Sequence, residues 1–135
     1  MTAMLSAAAK QLFDSPEYVS FATVEPDGSP QLSIVWVTRD GDDLLISTVE
    51  GRRKHRNLLR DARATILLSP KDAPWIYVEV RGDVTITTQG GRELIESLSR
   101  KYTNDERYSF DDGTDNVRVV IRVTPRRVVE YDALA

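Results

Sequence analysis

The segment from Trp75 to Thr88 alternates like a strand but is interrupted once by glycine. Ile76, Val78 and Val80 alternate with Tyr77 and Glu79, and after Gly82 the pattern resumes at Val84 and Ile86. Alternation with period two marks a strand with one buried face. The run is long for one strand, and a glycine inside it marks a bulge or bend. A long strand bent at its middle is the device that curls a sheet into a barrel.

The upstream sequence supplies strands for such a sheet. Tyr18 to Val24 alternates, and Glu25-Pro26-Asp27-Gly28 is a turn in which proline presets φ and glycine accepts positive φ. Gln31 to Thr38 is a second strand, with Leu32, Ile34 and Trp36 on one face and Ser33, Val35 and Val37 on the other. Asp40-Gly41 makes another tight turn before Leu44 to Thr48. Three strands on short loops form an antiparallel meander. Ala64 to Leu68 is nearly all apolar, as expected of a buried strand. Asn116 to Tyr131 closes the sheet, with a bend expected at Thr124-Pro125. Val120, opposite the core face of this strand, is placed against a partner subunit.

Helical spacing appears in three places. Leu5, Ala8, Ala9, Leu12 and Phe13 predict a helix over residues 3–14, ended by Ser15-Pro16. A short helix follows Gly51, and another runs from Arg92 to Lys101 with Leu94, Ile95 and Leu98 on its apolar face. Residues 103–116 are polar and acidic and read as a surface loop. The expected fold is mainly β (α+β): a six-stranded antiparallel barrel with two to three peripheral helices. With 135 residues, no repeat and no linker, one domain spans 1–135.

The chemistry is concentrated at the helix after Gly51. It opens with Arg52, Arg53, Lys54 and Arg56, and no carboxylate lies between Gly51 and Asp61. A helix N-terminus carries unpaired N–H groups and a partial positive charge, so acids are expected there. Four cations at that end cost stability unless an anion joins them, which makes the stretch an anion or phosphate site. The alternative is a solvated helix face, the ordinary reading of a charge run. Asn57 lies one turn after Arg53 and is expected to face the same ligand.

Other residues give weaker signals. His55, the only histidine, reads as an exposed helix residue with nothing nearby to orient it. Trp75 and Tyr77 read as core or interface aromatics, with a flat heteroaromatic ligand as the functional alternative. There is no cysteine, no metal-ligand spacing, no catalytic triad and no dinucleotide fingerprint. An enzyme built on this chain relies on a bound cofactor for its hard chemistry. A net charge of −3 argues against nucleic acid, and no apolar run suits a membrane helix. The N-terminus lacks signal-peptide character, so a cytoplasmic location is expected.

Taken in order, PDGSPQLS, LLIST, GRRKHRNLLRD, ARATILL, the W-x-Y-V-x-V-R-G segment and RVTPRRV resemble one family. It is the pyridoxamine 5'-phosphate oxidase-like, FMN-binding type of split β-barrel, and within it the deazaflavin branch that uses coenzyme F420. The resemblance runs from Phe21 to Val129. It implies a homodimer with cofactor sites between subunits and a small-molecule substrate. It also implies hydride transfer from reduced F420 to an acceptor such as an enone, quinone or tetrapyrrole. Carried over, Arg52, Lys54 and Asn57 become phosphate or tail contacts, with Thr48 beside them. Gln31 and Ser33 become polar contacts to the deazaflavin ring, and Trp75 approaches the site. FMN is the alternative cofactor, because its phosphate suits the same cations. A non-catalytic cofactor carrier is the alternative to an enzyme.

Overall fold

The computed structural model describes residues 2–135. Seven strands form one antiparallel sheet in the order β2-β1-β5-β6-β7-β4-β3. In chain order these are β1 (Val19–Val24), β2 (Pro30–Val35), β3 (Thr38–Asp40), β4 (Asp43–Val49), β5 (Arg63–Leu68), β6 (Ile76–Thr87) and β7 (Arg118–Asp132). The helices are α1 (Ala7–Asp14), α2 (Arg53–Arg60) and α3 (Gly91–Thr103). The sheet curls around its core without closing, because β2 and β3 remain as edges. This is the split barrel that the sequence implied.

There is one strand more than expected, because the run from Gln31 to Thr38 divides at Trp36-Val37. The Val37 N–H leaves the ladder and donates to the Tyr102 hydroxyl, at 3.1 Å. Val37 itself is fully buried. The chain thus bends across the open seam, and β3 can pair with β4 on the far edge of the sheet.

The core gathers Phe13, Phe21, Leu44, Ile46, Ile66, Leu68, Val80 and Ile121, all with essentially no exposure. β6 carries the curvature. Its register against β7 shifts between Arg81 and Gly82, leaving Gly82 opposite Pro125. A Cβ at Gly82 would lie 2.5 Å from the Thr124 carbonyl oxygen, so only glycine fits. The expected break at Thr124-Pro125 is therefore a bulge within one continuous strand. Proline is tolerated there because the ladder is already interrupted.

The helices cover different parts of the sheet. α1 begins later than residue 3, where the Ser6 side chain accepts from the Ala9 N–H at 3.0 Å and supplies the N-cap. α3 lies over β7. A Cβ on Gly91 would collide with the Arg118 backbone, so the glycine sets how closely the helix approaches. Leu94 and Leu98 cover Val120, which is buried within its own chain and does not wait for a partner.

Candidate functional site: a cavity in the barrel seam

α2 packs against both β1 and β4 and so bridges the seam. Two faces of this short helix do different work. Arg53 pairs with Glu25 at 2.8 Å, which turns it toward the β1–β2 connection. One turn on, the Asn57 amide is buried, 2% exposed, and donates to the Thr23 hydroxyl at 3.0 Å. Thr23 donates in turn to Gln31 at 2.8 Å, and Arg60 donates to Asn57 at 3.1 Å and to the Val24 carbonyl. Gln31, Thr23, Asn57 and Arg60 thus form a polar stitch from α2 to β1 and β2. Its groups satisfy one another, as buried polar groups must.

This corrects the spacing argument for Asn57. It does share a face with Arg53, but that face looks at the barrel, and its amide is already engaged. Gln31 is held in the same way. His55 is also buried, and its Nδ1 accepts the Gly51 N–H at 2.9 Å. It closes the turn before α2 and is not the exposed residue that its position suggested.

The other face of α2 opens into the seam. There a cavity of about 380 Å³ is bounded by β2, β4, β7, α3 and the start of α2. Arg52 and Lys54 line one side beside the hydroxyls of Ser47 and Thr48. Lys54 is half-buried, and its pKa is lowered first by burial and then by the neighbouring charge of Arg52. No carboxylate offsets these effects. Arg52 is the N-cap residue of α2, and its side chain makes no capping bond. Uncapped N–H groups, two converging cations and no resident counter-ion together form an anion cradle.

The opposite walls are aromatic. Trp36 stacks on Tyr102 at 5.2 Å between centroids, and Tyr102 stacks on Tyr18 at 5.6 Å. Tyr108 meets Trp36 edge-on at 6.4 Å. Trp36, Tyr18 and Tyr108 all line the cavity, with Ile34, Val35, Ile95 and Leu98 completing its apolar surface.

Two cations hold these walls in place. Lys101 donates to the carbonyls of Phe13 and Val37, both at 2.6 Å, tying the end of α3 to α1 and to the chain bend. Burial lowers its pKa to about 8. Arg118 makes a two-pronged pair with Asp111, at 2.8 and 3.1 Å, and lies 4.9 Å from the Tyr108 ring centroid. It also donates to the Tyr108 hydroxyl at 3.2 Å.

The structure thus brings Thr48, Arg52 and Lys54 together in one cavity. It does not place Gln31, Asn57 or Trp75 there. Trp75 is 44% exposed at the start of β6. Ser33 stands apart: its hydroxyl oxygen is buried with no partner among the described residues. Tyr18, Trp36, Tyr108 and Arg118 were missed from sequence, because they converge only through the fold.

The seam of this split antiparallel barrel thus joins two cations at a helix start to aromatic walls. The chain belongs to the pyridoxamine 5'-phosphate oxidase family, whose model matches residues 5–132. It is similar to a solved F420 reductase at 28% identity, with 93% of this chain and 98% of that one covered and a TM-score of 0.81. It is also similar to a conserved hypothetical protein of Mycobacterium tuberculosis, at 25% identity, 97% and 86% coverage and a TM-score of 0.78. A pyridoxamine 5'-phosphate oxidase-related, FMN-binding protein of Nostoc punctiforme shares the fold at 16% identity. There the coverage is 89% and 76%, with a TM-score of 0.69. No helix among the described residues is long and apolar enough to cross a membrane.

Proposed function

We propose that this protein is an F420-dependent oxidoreductase that reduces a small organic acceptor. The observation that carries the reading is Lys54, a half-buried cation with no counter-charge, set at an uncapped helix start inside an aromatic-walled cavity. The likeness to an F420 reductase over nearly the whole of both chains supports deazaflavin over FMN.

The residues present fit such a cofactor. Arg52 and Lys54, with the hydroxyls of Ser47 and Thr48, would hold its phosphate. Trp36, Tyr18 and Tyr108 would flank its ring and exclude water. Bound F420 in its reduced form supplies a hydride. The protein's part is positioning and dehydration of the reacting pair, which needs no acid–base residue in the cavity.

A homodimer belongs to the same proposal. Leu32 and Ile34 on edge strand β2 are 66% and 67% exposed, and Leu67 on β5 is 39% exposed. All three point outward from the same sheet face: Ser20 lies between Ile34 and Leu67 in the ladder, and Leu32 is on the next row. Apolar side chains in such a cluster on an edge strand call for a cover. A second copy would place its own residues near the seam, and Trp75 is a candidate for that contribution.

Turnover separates an enzyme from a carrier. Reduced F420 should be oxidised in the presence of the protein and one member of a panel of enones, quinones and tetrapyrroles, followed by cofactor absorbance. Tight cofactor binding with no turnover above the protein-free rate across the panel would leave the carrier reading in its place.

A further inference from the structure

A second concavity lies apart from the seam. It is a groove of about 620 Å³ on the outward face of the sheet, crossing β1, β5, β6 and β7. Its floor is made of small residues: Ala22, Ala64, Thr65 and Gly82. Its rim carries Arg63, Arg81, Arg126 and Arg127, with Asp83 as the lone acid. In a chain whose net charge is −3, four guanidinium groups around one groove are a local reversal of sign.

The backbone explains how they meet. In a regular strand, Arg126 and Arg127 would point to opposite faces. The register shift pairs Arg81 with Arg127 and Gly82 with Pro125, leaving Arg126 as the extra residue. Both Arg126 and Arg127 are exposed and both line the groove. Bulges re-aim side chains in this way. The same glycine that bends the barrel therefore turns two consecutive arginines onto one rim.

The pairing state of these arginines leaves them available. Arg63 pairs with Asp61 at 2.7 Å, Arg81 with Glu79 at 3.1 Å, and Arg126 with Asp83 at 3.0 Å. All three guanidinium side chains are more than half exposed. Such surface pairs are worth about 0–1 kcal/mol, so a ligand with better geometry displaces them readily. Arg127 makes no ion pair among the described residues. Guanidinium forks match carboxylate and phosphate oxygens two at a time.

We propose that this groove is a second anion site, separate from the seam, for a small linear polyanion bearing two or more phosphate or carboxylate groups. The rim spans two rows of the sheet, so one anionic group cannot engage all four arginines, whereas a chain of them can. The apolar patch of Leu32, Ile34 and Leu67 borders the groove on the same face, where Leu32 pairs with Ala22 of its floor.

Calorimetric titration tests this with sodium tripolyphosphate and with citrate, at fixed ionic strength, on the parent protein, Arg81→Gln/Arg127→Gln and Lys54→Gln. The parent should show a binding event that Lys54→Gln keeps and that the double variant weakens at least tenfold, whereas any event at the seam cradle is lost in Lys54→Gln and kept in the double variant. Preference for tripolyphosphate or for citrate identifies a phosphate or a carboxylate ligand. The proposal is overturned if neither probe binds the parent, if sulfate binds equally well, or if the loss follows Lys54 instead of the rim. Because the substituted rim residues are exposed, the folded state is retained, and circular dichroism of each variant verifies it. The outcome is independent of the F420 reading, which concerns the seam alone.

Discussion

Replacing Lys54 with alanine is expected to weaken F420 binding by about one to two decades, because a charge-assisted hydrogen bond contributes about 1.5–3 kcal/mol. The fold should survive, since Lys54 makes no ion pair among the described residues and its burial penalises its own charge. The pH dependence has a definite sign. The free-state pKa of Lys54 lies below 10.5, and an anion beside it raises that value. Binding therefore takes up protons, and affinity falls as pH rises through the lowered pKa. Equal affinity in parent and variant, measured by titration at neutral pH, would remove the phosphate site from α2.

The second large effect concerns stability. Arg118→Met should destabilise the protein by about 1–3 kcal/mol, because it removes the two-pronged partner of a buried carboxylate and leaves it only Asn116 at 2.9 Å and Arg92 at 3.7 Å. The Arg118 and Asp111 side chains are each only 8% exposed, so solvent screening offers little relief. The same pair holds the Asp111 pKa below 3.8, chiefly through its hydrogen bonds from Arg118. A lowered carboxyl pKa contributes stability that is present above the unfolded value and lost as pH falls through the folded one. The parent should therefore lose this contribution in acid, below about pH 4, while Arg118→Met, with only Asn116 and Arg92 left to lower that pKa, should lose less there. Urea unfolding at neutral and acid pH measures both parts. A loss under about 1 kcal/mol at neutral pH would mean that the pair is only a surface contact. Because Arg118 also holds Tyr108, the variant should loosen one wall of the cavity.

The sequence showed most of the strands because alternation records burial directly. It missed the division of β2 from β3 because Leu32, Ile34 and Trp36 alternate with Ser33, Val35 and Val37 straight through the bend. What ends β2 is a tertiary contact, the bond from Val37 to Tyr102, and residues that far apart leave no local trace. Pro125 misled in the opposite direction. It reads as a break, yet it sits where Gly82 has already interrupted the ladder.

The site shows the same division. Cations at a helix start are a local anomaly, so Arg52 and Lys54 could be read from spacing and dipole alone. Spacing also grouped Asn57 with Arg53, but it could not say which face of α2 looks inward. Thr23 and Gln31 decide that, by taking up the Asn57 side of the helix. The aromatic walls come from the bend after β2, the loop after α3 and the residue before β1. Their convergence is a property of the fold, and no single segment carries it.

A paired cofactor titration of the Trp75→Phe protein tests the central claim most directly. The chain has two tryptophans, so Trp36 alone would then report, from the cavity wall. F420 should quench its fluorescence at low concentration, and FMN should do so only at concentrations higher by a decade or more. FMN quenching at lower concentration than F420 would move the protein to the flavin side of its family. Unchanged Trp36 emission with both cofactors would contradict the account, because a ring seated against Trp36 in the cavity cannot leave that emission untouched.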